Sequence, residues 1–153
     1  MLNIDRVWSR ISQLPNYRGK KLTDFMLQQT TYATQLTNAQ VVGNQVVTFP
    51  AGAIIVGIRG GANLDLAVAT QTTREGLDLF KLSIADQQNN RNIVGTAQAI
   101  APAVFGRFND QCPAKEIIIP AQGGLIYSFT NLTTSTIDLY IAHDCLVPAT
   151  TIA

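Results

Sequence analysis

A chain of 153 residues falls in the single-domain range, and a body of this size buries about two-thirds of the surface of its unfolded chain, so no metal or disulfide staple is required. Charged residues make up 14% against roughly 25% in ordinary soluble domains, while Thr, Gln, Asn and Ala are abundant; the polar surface is largely uncharged and suits protein contacts. The net charge of +1 hides an asymmetry: residues 1–21 hold five basic groups against Asp5, net +4, and residues 22–153 hold six against nine, net −3.

Along the chain, Ile4, Val7, Trp8, Ile11 and Leu14 follow the spacing of one helix face, with Asn3 as a fitting N-cap and Pro15 ending the pattern. Arg6 and Arg10 fall on the opposite flank. A helix this short is marginal alone in water and needs a surface to lie against. Asn3, Asp5, Arg6, Ser9 and Arg10 interrupt any apolar run at the start, and no 18-residue apolar run follows, so neither a cleaved secretion signal nor a membrane span is expected.

A turn at 16–19 leads into Arg18, Lys20 and Lys21. Leu22, Phe25, Met26 and Gln29 then predict a second helix or an extended arm, and the Thr, Gln and Asn run from Gln28 to Gln40 predicts a connector. Residues 1–39 are accordingly read as a basic amphipathic arm and residues 40–153 as a β-sandwich domain.

Beyond Gln40 the pattern is one of short strands broken by turn residues. Strands are predicted at Gln45 to Phe49, Ala53 to Arg59, Asp78 to Ala85, Ala99 to Phe108, Glu116 to Ile119, Leu125 to Thr130 and Ile137 to Cys145, with Leu64 to Ala69 as an eighth. Turns are predicted at Gly43-Asn44, Pro50 to Gly52, Gly60-Gly61, Gln87 to Asn90, Pro113, Pro120 to Gly124 and Asn131 to Ser135. The expected fold class is all-β: a jelly-roll-like antiparallel β-sandwich of about eight strands with an N-terminal helical or extended arm.

Candidate chemistry is sparse. His143, the single His, shares a strand face with Cys145, but no third group is signalled to orient a dyad. Cys112 and Cys145 spell no CxxC motif, and with His143 they make no four-ligand zinc set. Gly57-Ile58-Arg59-Gly60-Gly61 matches neither phosphate-loop pattern, so a hairpin or bulge explains its glycines better. Asn131-Leu132-Thr133 is a formal glycosylation sequon that reads as an Asn-rich turn. No catalytic residue, metal or cofactor is expected. The informative feature is the arm, with Ile4, Val7, Trp8, Ile11 and Leu14 as its apolar stripe and Arg6, Arg10, Arg18, Lys20 and Lys21 as its cations.

FPAGAIIVGIRGG at Phe49 to Gly61, LFKLSIAD at Leu79 to Asp86 and EIIIPAQGGLIYSFTNLTTSTIDLYIAHDCLV at Glu116 to Val147 give a pattern of strands and turns over about two-thirds of the chain. In that pattern the chain resembles the small β-sandwich virion proteins of tailed bacteriophages, especially capsid decoration (cement) proteins and head-fibre or spike modules. The resemblance implies a non-enzymatic protein of the virion, assembled in the host cytoplasm. It implies binding of the major capsid protein or another virion protein through the arm, as a trimer or dimer. The layout is also similar to single jelly-roll capsid proteins whose basic arm faces nucleic acid or an internal membrane. A carbohydrate-binding sandwich is a third reading, with Tyr127, Phe129 and Tyr140 as its aromatics.

Overall fold

The fold comes from a computed structural model, which describes residues 2–64, 75–76, 79–88, 91–94, 97–106, 112–120 and 123–149. Helix α1 (Ile4–Ile11) opens on Asn3, whose side-chain oxygen accepts a hydrogen bond from the Arg6 N–H at 3.0 Å. Short 3-10 turns at Pro15–Tyr17 and Leu22–Asp24 then carry the chain into the sandwich.

Ten strands follow among the described residues: β1 (Phe25–Leu36), β2 (Val41–Phe49), β3 (Ile54–Leu64), β4 (Glu75–Gly76), β5 (Phe80–Asp86), β6 (Arg91–Asn92), β7 (Ala99–Ile100), β8 (Ile117–Ile118), β9 (Gly123–Asn131) and β10 (Ile137–Pro148). Every pairing is antiparallel. The first sheet runs β1-β10-β3, with β4 and β8 both on β3; the second runs β2-β9-β5, with β6 and β7 both on β5. The architecture is an all-β sandwich.

Alternation builds the core. Phe80, Leu82 and Ile84 of β5 point inward between half-buried Lys81, Ser83 and Ala85, and Ile137, Leu139, Ile141 and His143 of β10 do the same between Asp138, Tyr140 and Ala142. Against them pack Tyr127 and Phe129 of β9, Ile58 of β3 and Phe105. Burying such side chains is worth about 1.5–3 kcal/mol each, and it is this layer that joins the sheets.

Four expectations are corrected. The Gln28 to Gln40 connector is mostly β1, paired with β10 at twelve positions without interruption. Its inward residues Thr30, Tyr32 and Thr34 are half-buried and its outward ones, Gln29, Thr31, Ala33 and Gln35, are exposed; the period of two is present but written in polar letters. Strand β1 therefore belongs to the sandwich, although it precedes residue 40.

The strand expected from Ala99 to Phe108 is two residues of β7 followed by helix α2 (Ala101–Phe105), with 107–108 outside the described residues. Pro102 offers no N–H to a ladder and suits a first helical turn, and the helix buries Ala101 and Phe105.

Gly60-Gly61 is no turn: β3 runs through both, opposite Ile141 and Tyr140. A Cβ on Gly60 would lie 2.7 Å from Ile141 Cδ1 and 2.8 Å from Phe105 Cε2, so the glycine makes room for core side chains rather than for a bend. Likewise Gly43-Asn44 sits inside β2, at a register shift between Val42 and Gln45 where Asn44 takes φ 55°. The eighth strand expected at Leu64 to Ala69 begins with the last residue of β3, and 65–69 lie outside the described residues.

Candidate interaction surface

A bulge between Asp144 and Cys145 divides the outer face of the first sheet. On one side of it Ile54, Val56, Leu146 and Phe25 form a second apolar cluster, and α1 lies there with Val7 and Ile11 buried. Leu2 N–H donates to Val56 O at 2.7 Å, and Trp8 sits against Phe25 with ring centroids 5.1 Å apart. Ile4 and Trp8 are partly buried on the same cluster. Most of the stripe read as a docking face is thus occupied by the protein's own body; Leu14 alone of it is well exposed, at 40%.

The cations divide in the same way. Arg10 turns back onto Glu116 with Nε 3.2 Å from Oε1 and Nη2 bonded to Oε2. The Arg10 hydrogen bond holds the Glu116 carboxyl below its ordinary range against the opposing effect of burial, and the same bond raises Arg10. Arg6, Arg18, Lys20 and Lys21 face solvent without an ion pair among the described residues, and Lys20 Nζ lies 5.6 Å from the Tyr17 ring centroid. A cleft of about 430 Å³ beside α1 is rimmed by Arg10, Arg91 and Lys115. Arg10 is held by Glu116 and Arg91 lies 3.6 Å from Asp86, so among the described residues Lys115 is the rim cation without an ion pair.

The buried polar groups are structural ties. His143 Nδ1–H donates to Thr30 O at 2.9 Å, and the Tyr127 hydroxyl donates to His143 Nε2 at 2.6 Å, so one imidazole joins β10 to both β1 and the opposite sheet. Phe49 meets the ring edge-on at 5.0 Å. Burial lowers the His143 pKa and raises that of Tyr127 well above its usual value. Cys145 Sγ is 3.9 Å from the His143 carbonyl oxygen, not directed to the ring, and burial pushes both Cys145 and Cys112 up to about 12. A protonated thiol beside a doubly bonded imidazole is no nucleophile and base pair. Among the described residues no three His, Cys, Asp or Glu side chains cluster as metal ligands.

Asn131 is buried, with Nδ2 donating to the carbonyls of Leu36 (3.2 Å), Thr37 (2.8 Å) and Ser135 (2.8 Å), and Oδ1 accepting from Thr133 N–H at 2.8 Å. The sequon is therefore a knot tying two turns, and its amide is not available for a glycan. Sequence reasoning missed this role and that of Glu116; for Glu116 the available signal was a carboxylate at the head of the apolar run Ile117-Ile118-Ile119, whereas Asn131 lies in a stretch of Ser and Thr that carries no such contrast. Of the three aromatics considered for sugar binding, Tyr127 and Phe129 are core residues and only Tyr140 is exposed.

Among the described residues, one side of the sandwich remains open. The edge strands β1 and β2 lie there one above the other, joined by the turn at 37–40 and by Tyr32 Oη–H donating to Gln45 Oε1 at 3.3 Å. Between Phe25 and Phe49 there is no charged residue and no proline. Met26, Leu27, Val41 and Val46 on these strands are 45, 55, 68 and 48% exposed.

No protein-family model matches the chain, and no curated protein matches it. Among solved structures it is similar to a chain of the acidic stable capsid structure of Helicobacter pylori bacteriophage KHP30, with a TM-score of 0.44 and 14% identity over 81% of this chain and 95% of that one. At that level of likeness no role passes from that chain to this one.

Proposed function

We propose that this chain is a non-enzymatic structural protein of a virion, which joins a protein lattice as a decoration, cement or spike-type unit. The observation that carries the proposal is the open side of the sandwich: two edge strands with four exposed large apolar residues and no charge from Phe25 to Phe49. Natural sheets blunt free edges with charge, proline or cover, and an edge without them is suited to permanent contact with protein. The strand order supports the same reading, since β1-β10-β3-β8 facing β2-β9-β5-β7 takes strands alternately from the two ends of the chain, as in a jelly roll built from two Greek keys.

The arm enters this proposal in a narrower form. Val7 and Ile11 anchor α1 to the body, and Leu14, Arg6, Arg18, Lys20 and Lys21 are the groups left to meet the lattice. Those four outward cations also favour a second reading, a single jelly-roll capsid protein whose arm faces nucleic acid or an internal membrane. The test is mass spectrometry and labelling on particles purified from the native source. A decoration role requires the chain at a fixed ratio to the shell protein, on the outside, and removable without opening the shell. An internal position selects the second reading, and absence from particles overturns both.

A further inference from the structure

We propose that β1 pairs antiparallel with β1 of a second copy, about a two-fold axis normal to the sheet and centred on Thr31, so that the first sheet continues unbroken through a dimer. The proposal rests on reading the open side as a protein contact, and it names what covers that side.

Three observations single out β1. At twelve residues it is about twice the usual strand length, and it is bonded on one edge only among the described residues, which leaves about half its N–H and C=O groups facing outward. Its register with β10 has no bulge, whereas β2, the edge beside it, is interrupted between Val42 and Gln45 and is a poorer template. At the far side of the sandwich the edge strand β6 is two residues long and carries Arg91, so it has the short length and the charge that β1 lacks.

A second copy is the occupant because the edge is compatible with itself. With Thr31 opposite Thr31, the outward residues pair as Gln29 with Ala33 and Leu27 with Gln35. The inward ones pair as Thr30 with Tyr32, Gln28 with Thr34 and Met26 with Leu36. Residues keep their faces, no charge meets a like charge, and exposed Met26 gains an apolar partner. A strand of this length spans about 40 Å, and two sheets about 10 Å apart give a side about 20 Å thick, hence roughly 800 Å² per copy, the size of a standard stable interface. The contact is isologous and closed, which limits growth to two copies.

The test is sedimentation of the whole chain. The wild type should be a dimer at micromolar concentration. Thr31→Lys alone and Thr31→Asp alone should be folded monomers by circular dichroism, with the dissociation constant raised at least about tenfold, because each variant opposes like charges at the axis. Mixing the two variants one to one should restore the dimer. Independently, Thr31→Cys should give a disulfide-linked dimer on oxidation while Asn63→Cys, exposed on the same face at β3, should not. A wild type that stays monomeric up to about 1 mM, or an oligomer that Thr31→Lys leaves intact and Thr31→Cys does not cross-link, overturns the pairing. A monomer found in particles removes only this inference, and a β1 dimer absent from particles removes only the virion reading.

Discussion

The imidazole of His143 on β10 and the hydroxyl of Tyr127 on β9 meet at 2.6 Å in the core, and theirs is a hydrogen bond between side chains of the two sheets. Burial is the first cause of the lowered His143 pKa, partly offset by the bond to Thr30 O and by the charge of Asp144. The unfolded chain, at about 6.5, therefore takes up the proton more readily than the folded one. The stability contributed by neutral His143 is complete above about pH 6.5 and is lost as pH falls from there toward the folded pKa. Urea unfolding at pH 7.5 and at pH 5.5 should give a lower midpoint at the acid value, and His143→Gln should flatten that difference. Tyr127→Phe leaves the ring nitrogen unpaired and should cost about 1–3 kcal/mol at pH 7.5.

Glu116 has its own pH window. Its carboxyl is held below the ordinary range chiefly by Arg10, so the bridge contributes above the unfolded value of about 4.3 and is lost as pH falls through the folded pKa. In thermal melts between about pH 3 and pH 6, wild type should lose stability at the acid end more steeply than Glu116→Gln. Equal slopes would mean that the pair is not maintained in solution.

Helix α1 should behave as part of the core on one face and as free surface on the other. Ile11→Ala removes a buried side chain and should cost about 2–5 kcal/mol, whereas Arg6→Ala should stay within about 0.5 kcal/mol. Trp8 is a direct probe: packed on Phe25, it should emit to the blue of its urea-unfolded position in the isolated protein. An α1 that is detached in solution would give neither the Ile11 cost nor the shift.

Asn131 is the polar position with the largest expected effect. Asn131→Asp puts acceptor oxygens against the carbonyls of Leu36, Thr37 and Ser135, and should be worse than Asn131→Ala, itself about 2–3 kcal/mol by chemical unfolding. The reverse order would show that the cavity, not the hydrogen bonding, sets the cost.

The adjacent glycines of β3 should separate cleanly. Gly60→Ala drives a methyl into Phe105 and Ile141 inside the core and should cost about 1–3 kcal/mol. Gly61→Ala meets the Tyr140 ring, which is half exposed and free to swing outward, and should cost less than Gly60→Ala in the same melt.

The strands that alternate apolar and polar side chains, β5, β9 and β10, were legible as strands because the period of two was written in Phe, Leu and Ile, and α1 was legible from its cap and its i, i+3, i+4 stripe. Where the same period is written in Thr, Gln and Ala, as in β1, it has no hydrophobic contrast and reads as a connector; only pairing with β10 made it a strand. Composition likewise revealed the low charged fraction and the concentration of basic residues in 1–21, since charge is counted without knowing the fold. What the arm's stripe lies against, that Arg10 belongs to Glu116 across 106 residues of sequence, and that His143 serves two sheets were decided by tertiary structure. A helix face and a lone buried carboxylate each state a need for a partner, but the partner is chosen by which strands become neighbours, and that is a property of the whole sheet order rather than of any local stretch.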